Sequence, residues 1–327
     1  MFICYLDASK AFDRVNFWKL FDKLLNRRAP DIIVRFMMAW YCSQHFTVRW
    51  GNTLSLPFSV SNGVRQGGIL SPQFFNIYIN DLSDDLNSSN VGCIMNDTVF
   101  NHLSYADDMV LMAPSASALQ FLLNLCDNYA QSHDIIYNIT KSVCMCIQPS
   151  NHKIAFNPIV TLSGNALRYV DGHKYLGVYV TTNFKDDINI RSQTCSIYSR
   201  GNMLIRNFSH CSEEVKCQLF KSFCTSLYCT PVWNYYSCES FNRIKVAYNR
   251  IFRILLGLEH RISMSRAFIE RDINPFVVVF RKYIVSFRNR ILKSENVFIK
   301  TIYESLYFMN CHLFRKWSKS IFTVQNS

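Results

Sequence analysis

The chain has 327 residues, of which 49% are apolar and 15% aromatic, and its net charge is +12. So apolar a composition excludes a disordered chain and suffices for a sizeable core. The first ten residues, MFICYLDASK, lack the pattern of a signal peptide, and no uncharged apolar run reaches the ~18 residues of a membrane span. We therefore expect an intracellular protein without a membrane partner; the sequence leaves nuclear or cytoplasmic residence open.

The first 184 residues alternate between strand-like and helix-like segments. In chain order they are a strand (FICYLD), an amphipathic helix ending at Pro30, an apolar helix from Asp31, a hairpin (HFTVRW, LSLPFSV), a helix starting at Ser71-Pro72, three strands (GCIM, TVFNHLSYA, DDMVLMA), a helix from Ser115, and short strands up to KYLGVYV. Beyond Asp187 the pattern is helical. Strands followed by helices predict an α+β domain and then an all-α one, with a boundary near residue 184.

The positive charge is confined to the helical part. Residues 1 to 184 hold 13 Lys and Arg against 13 Asp, whereas residues 185 to 327 hold 22 Lys and Arg against 10 acids. A neutral region followed by a basic one is typical of a protein that handles a polyanion. The alternative is a set of ordinary solvated helix faces.

The cysteines indicate a reducing environment. There are 13 of them, an odd number, and none forms a Cys-x-x-Cys pair. Cys144 and Cys146 alternate with apolar residues, as in a buried strand. We expect reduced core thiols rather than a disulfide or zinc framework.

Three aspartates lie at the ends of predicted strands. Asp107 and Asp108 occupy the last strand reversal, and Asp7 ends the first strand. If these strands are neighbours, the carboxylates converge and require divalent cations, for which oxygen ligands favour Mg²⁺ or Mn²⁺. Two such ions about 3.5–4 Å apart support phosphoryl transfer. The alternative is a solvated Asp-Asp turn.

A glycine-rich segment precedes the third predicted helix. In SNGVRQGGILSP, Gly63, Gly67 and Gly68 surround Gln66. Glycines let a backbone approach a ligand closely, and a glutamine can both donate to and accept from a base or sugar. The alternative is a plain loop that leads into a capped helix.

The ordered set of these segments resembles the motif series of reverse transcriptases, most closely those of non-LTR retrotransposons. YLDASKAFDRV is similar to motif A, NGVRQGGILSP to motif B, YADDMVLMAP to motif C, NITKS to motif D and KYLGVYV to motif E. The later LYCTPVWNYY and YNRIFRILLGL resemble the thumb and the region after it. The resemblance implies a polymerase palm over residues 1–184, with an antiparallel sheet backed by helices, a helical thumb over 185–260 and a C-terminal helical region over 261–327.

The resemblance also implies roles for individual residues. Asp7 and Asp107 correspond to the chief catalytic ligands of two Mg²⁺ or Mn²⁺ ions, Asp108 to a supporting ligand, and Lys141 to a general acid for the leaving pyrophosphate. The residues expected at the incoming nucleotide and nascent base pair are Phe12, Arg65, Gln66, Gly67 and Tyr105. The residues expected to grip the primer end are Tyr175, Leu176 and Gly177.

Phe12 matches the residue that lies under the incoming sugar, where a ring would collide with a 2′-hydroxyl and favour deoxynucleotides. The alternative is a core phenylalanine at a helix start. Arg65 is expected to contact phosphate or template.

The basic helix RIKVAYNRIFRILLG is expected to lie along a duplex of RNA template and DNA primer. Its periodicity predicts a phosphate-facing side and an opposite core side. The residues assigned to the phosphate side are Arg243, Arg250 and Arg253. The residues assigned to the core are Val246, Ile251, Ile254, Leu255 and Leu258.

One departure from the family concerns the start of the chain. Met1 stands six residues before Asp7, whereas in this family a fingers region, and in many elements an endonuclease domain, precedes motif A. We expect a fragment of a retrotransposon polymerase that is weak or inactive alone and that has upstream domains of the element as partners. The alternative is a non-catalytic nucleic-acid-binding remnant.

Overall fold

A computed structural model describes residues 1–148 and 156–325, with side chains as far as Lys319. The chain divides into two compact units, Met1–His173 and Lys174–Ser327. This division lies before the boundary expected near residue 184. The second unit includes the preceding hairpin because the Asn189 side chain, on the next helix, donates to the Tyr179 carbonyl and accepts from its N–H, at 2.9 and 2.8 Å. The further division at residue 260 stays a prediction, and its last residues, 326–327, lie outside the described ones.

The first unit contains strands and helices in alternation. In chain order they are β1 (Phe2–Asp7), α1 (Phe17–Asn26), α2 (Asp31–Cys42), β2 (His45–Phe46), β3 (Arg49–Trp50), β4 (Thr53–Leu54), β5 (Phe58–Ser59), α3 (Ser71–Ser88), β6 (Cys93–Met95), β7 (Thr98–Phe100), β8 (His102–Tyr105), β9 (Asp108–Ala113), α4 (Ala116–Ser132), β10 (Val143–Cys146), β11 (Thr161–Leu162), β12 (Asn165–Ala166) and β13 (Arg168–Tyr169). A short 3₁₀ helix, Phe12–Arg14, follows β1, and β14 (Gly172–Tyr175) crosses into the second unit.

A five-stranded sheet in the order β13-β10-β1-β9-β8 forms the centre of the first unit. Its pairs are antiparallel except β10 with β13, which is parallel. The predicted α+β class is confirmed, and the sheet departs from the predicted antiparallel pattern only at that edge. Phe2, Cys4 and Leu6 alternate along β1 and pack into the core, as expected for a strand with one helix-covered face.

Helices α1, α3 and α4 contribute the other side of this core. Asn16 caps α1 by accepting from two backbone N–H groups, and Ser115 caps α4 in the same way from one. Trp18 and Leu25 of α1 are apolar but do not face the core, since they are 62% and 45% exposed. The buried face of α1 instead comprises Phe17, Leu20, Phe21, Lys23 and Leu24.

The second unit is helical after one hairpin. Its elements are β15 (Val178–Thr181), α5 (Asp187–Asn207), α6 (Glu213–Cys224), α7 (Cys238–Leu256), α8 (Met264–Glu270), α9 (Phe276–Leu292), α10 (Val297–Glu304), α11 (Leu306–Met309) and α12 (His312–Gln325), with a 3₁₀ helix at Thr230–Val232. Its core is rich in aromatic rings, and Trp233, Tyr248 and Phe252 are fully buried there. Helix α5 packs directly against α7.

The buried face of α7 differs from the predicted one. Ile251 and Leu255 are buried as expected, whereas Val246 and Ile254 are 58% and 48% exposed. The buried set is Ile244, Ala247, Tyr248, Ile251, Phe252 and Leu255. The prediction was wrong because it assigned Tyr248 and Phe252, the largest side chains in the helix, to neither face.

All 13 cysteines are free thiols. Cys4 and Cys144 face each other across β1 and β10 and are fully buried. Cys42, Cys195 and Cys238 are exposed, so the expectation of core thiols holds for only part of the set. Among the helices that the structure describes, none combines the length and apolarity needed to cross a bilayer.

Candidate active site

Strand register brings the acids together at one end of the sheet. In the antiparallel pair β1 and β9, Asp7 lies directly opposite Asp108. Residues opposite each other in such a pair point to the same face, with Cβ atoms about 4.5–5.5 Å apart. The expected neighbouring of these strands is therefore observed, and the two carboxylates share one face at the rim of the sheet.

Asp107 belongs to the tight turn that joins β8 to β9. Tyr105 pairs with Asp108, which leaves Ala106 and Asp107 as the two turn residues. Ala106 has φ +54°, in the left-handed region that a side chain disfavours. Tyr105 is 68% exposed at this tip. The turn places Asp107 next to Asp108, and both side chains are half-buried.

The carboxylates influence one another electrostatically. Burial raises the pKa of Asp108, the negative charges of Asp107 and Asp7 raise it further, and His173 opposes them. This pattern indicates a concentration of negative charge that the protein itself only partly compensates.

His173 is a neighbour of this site that sequence reasoning missed. Its ring packs against Tyr5 of β1 at 4.5 Å between centroids. Burial lowers the pKa of His173, Arg168 lowers it further, and the carboxylates of Asp108 and Asp7 raise it. No local pattern marks this histidine, because its position depends on where β14 runs.

Lys141 lies within reach of the same acids. Its Nζ is 3.8 Å from Asp7 Oδ2, and its side chain is 67% exposed. The loop that carries it is shaped by Asn138, whose side-chain oxygen accepts from the backbone N–H groups of Thr140 and Lys141 at 3.1 and 3.2 Å. An ion pair this exposed contributes little stability, so the lysine is held near Asp7 mainly by its loop.

That loop is also joined to the backbone of Asp7. The N–H of Asp7 donates to Ser142 Oγ at 3.1 Å, and its carbonyl accepts from the Asn138 N–H at 2.7 Å. Ser142 is fully buried. These two hydrogen bonds fix the loop before β10 to the end of β1.

Oxygen donors of this kind fit a hard divalent cation. Burial, and after it the negative charges of Asp107 and Asp7, raise the pKa of Asp108, and a cation bound there would neutralise part of that charge. Within the described residues, however, no three His, Cys, Asp or Glu side chains are grouped closely enough to hold a metal ion. Charge and donor chemistry, rather than a preformed cage, make these acids candidate ligands.

Phe12 lies at the junction of the segments that resemble motifs A and B. Its ring stacks on Phe75 at 4.8 Å with 16° between the planes. Its carbonyl accepts from the Val64 N–H at 2.8 Å, and Gly63 N–H donates to the Val15 carbonyl at 2.8 Å. The ring is therefore half-buried and packs against the edge of the core through a buried aromatic.

The residues after Gly63 differ in how firmly they are held. Arg65 Nε donates to Gln44 Oε1 at 3.1 Å, and its guanidinium lies 5.2 Å from the centre of the Phe46 ring. Gln66 and Gly67 are exposed, and Gly67 has φ +80°. The arginine thus supports the neighbouring hairpin, and the glutamine is presented at the surface.

The segment resembling a primer grip belongs to the second unit. Tyr175 is half-buried at the end of β14. Leu176 and Gly177 form the turn to β15 with φ +45° and +81°. Two successive positive φ angles are typical of a type I′ hairpin turn.

The three arginines of α7 have different environments. Arg243 pairs with Glu239 one turn away, and Arg250 is exposed. Arg253 donates to the carbonyls of His260 and Ile262, at 2.9 and 3.1 Å. We therefore correct the assignment of Arg253 to the phosphate-facing side, because its guanidinium holds the loop after the helix.

Relatives of known identity come from mobile elements. Over 186 residues the chain is 28% identical to the "Retrovirus-related Pol polyprotein from type-2 retrotransposable element R2DM" of Drosophila melanogaster, which covers 55% of this chain and 18% of that protein. Over 265 residues it is 24% identical to the "RNA-directed DNA polymerase from mobile element jockey" of Drosophila funebris, covering 78% of this chain and 28% of that protein. The chain thus spans less than a third of either relative.

Solved telomerase structures match the chain with low TM-scores. Apo telomerase from Candida tropicalis gives a TM-score of 0.43 at 13% identity, covering 98% of this chain and 53% of that one. Telomerase from Candida albicans in complex with a fragment of telomeric RNA gives 0.40 at 13% identity, covering 95% and 51%.

The family is shown by a match over more than half of the chain. Residues 2–180 match the sequence pattern of "Reverse transcriptase (RNA-dependent DNA polymerase)". This range includes Asp7, Asp108 and Lys141, which the fold brings to one end of the sheet. The predicted relation to non-LTR retrotransposons is confirmed as well, and the chain belongs to the reverse transcriptase family.

Proposed function

We propose that this chain carries out RNA-directed DNA synthesis at the sheet rim formed by Asp7, Asp107 and Asp108. The observation that carries the proposal is the register of β1 and β9, which sets Asp7 opposite Asp108 inside the matched region. The substrates would be deoxynucleoside triphosphates, an RNA template and a DNA primer. Upstream domains of a longer element-encoded protein would be further partners, since the relatives are several times longer than the matched region.

The carboxylates of Asp7, Asp107 and Asp108 would hold two Mg²⁺ or Mn²⁺ ions. Bound there, the ions would activate the primer hydroxyl and stabilise charge on the phosphates. The raised pKa of Asp108, caused first by burial and then by the charges of Asp107 and Asp7, supports this role because cation binding would offset both effects.

In the reaction, the primer 3′-hydroxyl loses its proton to water, its oxygen forms a bond to the α-phosphorus, and the bond from that phosphorus to the pyrophosphate oxygen breaks. Lys141 Nζ donates a proton to the leaving pyrophosphate. The attachment of its loop to the Asp7 backbone, through Ser142 and Asn138, supports this role because it keeps the loop that carries the amine beside Asp7, where the phosphates would bind.

The exposed Gln66 and Gly67 would approach the nascent base pair, with Tyr105 near the incoming nucleotide. In the second unit, Tyr175, Leu176 and Gly177 would hold the primer end, and Arg243 and Arg250 would contact phosphates of the duplex. Contacts of the latter kind are independent of sequence and weaken with salt.

Primer extension on an RNA template with Mg²⁺ and deoxynucleotides tests the proposal. The Asp108→Asn variant keeps the shape of the side chain and removes its charge. We expect it to lower incorporation by about a thousandfold or more, since charge stabilisation at such a site amounts to several kcal/mol and each 1.36 kcal/mol is tenfold. Asp97→Asn, the same change in the exposed turn between β6 and β7, is the matched control and should retain activity.

Two results would contradict the proposal. One is incorporation by Asp108→Asn at the rate of Asp97→Asn. The other is salt-sensitive binding of nucleic acid without any incorporation even when upstream domains of the element are supplied, which would support a non-catalytic binding protein instead.

A second experiment tests the assignment of Phe12. Because its ring is stacked on Phe75, it would form a rigid floor against the 2′-position of the sugar. We expect Phe12→Val to narrow the preference for deoxynucleotides over ribonucleotides by about tenfold or more, as removal of a steric exclusion of more than ~1.4 kcal/mol would do. If Phe12→Val and the unaltered chain prefer deoxynucleotides over ribonucleotides to the same extent, Phe12 has only a structural role.

A further inference from the structure

The turn between β14 and β15 requires support from its surroundings. Leu176 has φ +45° and Gly177 φ +81°. Glycine adopts this conformation readily, but leucine does not. A strained leucine at a chain reversal keeps its conformation only when neighbouring contacts hold it.

Tyr228 supplies such contacts from a distant part of the second unit. Its hydroxyl donates to the Leu176 carbonyl at 2.8 Å. Its ring lies against Gly177, where an added Cβ would be 3.1 Å from Tyr228 Cε1. One side chain therefore contacts both residues of the turn, and only a glycine at position 177 lets the ring approach this closely.

Tyr228 is in turn fixed by its own backbone. Its N–H donates to Gln193 Oε1 of α5 at 3.1 Å. The next residue, Cys229, has φ +56° and precedes the 3₁₀ helix Thr230–Val232. The tyrosine is thus attached to a helix on one side and to a tight reversal on the other, although its side chain is 53% exposed.

The opposite end of the hairpin is held independently. Asn189 of α5 makes two hydrogen bonds to the backbone of Tyr179 in β15, at 2.8 and 2.9 Å. Gln193 and Asn189 lie one turn apart on the same helix, so α5 supports the hairpin directly through Asn189 and its tip through Gln193 and Tyr228.

We propose that Tyr228 is a positioning residue for primer binding, which acts by holding the Leu176-Gly177 turn in one conformation. This inference rests on the proposed function, because it takes the turn to contact the primer terminus. A turn that is already ordered loses less conformational entropy when the primer binds. Loss of the Tyr228 hydroxyl should therefore shorten the time for which a primer end stays bound.

The Tyr228→Phe variant removes the hydrogen bond and keeps the ring. With a trap for released enzyme, we expect about two- to tenfold fewer nucleotides added per binding event, the range that corresponds to one hydrogen bond. The KM for deoxynucleotides should not change, and the chain should remain folded at the assay temperature although one hydrogen bond is lost. A merely structural role would not confine the loss to primer release. Tyr307→Phe, at a tyrosine that is 80% exposed in the same unit, is the matched control.

A double-mutant cycle tests the contact with Gly177. Gly177→Ala places a methyl group against the tyrosine ring and also imposes a disfavoured φ. If the ring contact matters, its effect on primer release should be smaller in a Tyr228→Ala background than alone. Equal effects in both backgrounds would overturn the contact part of the inference.

Binding experiments separate this inference from the proposed function. An RNA–DNA hybrid with a recessed DNA 3′ end is compared with a hybrid that offers no recessed end. If the unaltered chain binds but does not extend, the proposed function fails, and the inference then depends on binding alone. It holds if Tyr228→Phe weakens binding of the recessed end only. It is overturned if both hybrids are affected equally, if Tyr228→Phe behaves as Tyr307→Phe, or if the unaltered chain does not prefer the recessed end.

Discussion

The two units position their charged side chains in different ways. In the first, acids stand where strands end, so the backbone register of β1 and β9 decides which of them meet. In the second, arginines lie along α7, and their environment depends on which side chains that helix buries. Charges placed by register depend on backbone geometry, whereas charges placed along a helix depend on side-chain packing.

Two glycines allow this contrast to be tested. Gly63 has φ +95°, and a Cβ there would lie 2.8 Å from the carbonyl oxygen of Asp13. Gly201, in α5, has no such constraint on φ, but a Cβ there would lie 2.3 Å from Ile251 Cγ2 of α7. The obstacle is backbone in the first unit and a side chain in the second.

The largest effect should come from Gly63→Ala. Strain at positive φ and a collision with backbone together should lower the free energy of unfolding by about 2–4 kcal/mol. Gly201→Ala should cost about 1–3 kcal/mol. Urea denaturation measures both.

Compensating variants sharpen the contrast. Ile251→Ala removes every atom that approaches position 201 most closely, so the double variant with Gly201→Ala should lose less stability than the sum of the single changes. Asp13→Ala leaves the backbone in place, so it should add to Gly63→Ala without relief. Full additivity at position 201, or relief at position 63, would contradict the proposed difference between the units.

A smaller effect is expected from the arginines of α7. Arg253→Gln breaks two hydrogen bonds from a charged group to loop carbonyls and should lower the free energy of unfolding by about 1–2 kcal/mol. The exposed Arg250→Gln should change it by less than about 0.5 kcal/mol.

In nucleic-acid binding, Arg250→Gln should have the larger effect and Arg253→Gln the smaller one. The slope of the logarithm of the hybrid binding constant against the logarithm of the salt concentration measures the number of phosphate contacts. Arg250→Gln should make this slope shallower by about one contact, and Arg253→Gln should leave it unchanged. If Arg253→Gln alters the slope while stability is unaffected, the guanidinium faces phosphate and our correction of its role is wrong.

The same contrast explains how far the sequence alone could lead. The placement of Asp7 and Asp108 at strand termini was predictable, because short apolar runs indicate strands and these acids flank two of them. Their meeting was expected only on the condition that the two strands are neighbours. The parallel strand β13 was not, since its pairing with β10 depends on a long connection without a periodic signal. Two short ladders, β2 with β5 and β3 with β4, replace the single expected hairpin.

In the second unit, periodicity identified the helix but not its buried side. Apolar residues occur around much of α7, so Val246 and Ile254 fit the pattern as well as Tyr248 and Phe252 do. Burial of the two large rings rotates the helix and leaves the aliphatic pair exposed. Contacts such as Tyr228 with Leu176 or His173 with Tyr5 join residues that are distant in sequence or unmarked by any motif.

The smallest expected effect on stability concerns a buried histidine in the first unit. It lies on the same sheet as Asp7 and Asp108 but away from their end of the strands. His102 begins β8, is 6% exposed, and its Nδ1 lies 2.8 Å from Asn101 Oδ1. Burial lowers its pKa from the usual 6.5. At pH values between 6.5 and the lowered pKa of His102, the unfolded chain binds more protons than the folded chain. The free energy of unfolding should therefore fall as the pH decreases below about 6.5.

His102→Gln removes the titrating ring, so the variant should lose less stability than the unaltered chain when urea denaturation is compared at pH 7.5 and pH 5. His210→Gln, at an exposed histidine, should follow the unaltered chain at both values. If His102→Gln keeps the full acid sensitivity, the buried imidazole is not its source. Because His102 pairs with Leu111 on β9, the strand that begins with Asp108, a decrease in stability there would reach Asp7 and Asp108 through the same backbone register that positions these acids.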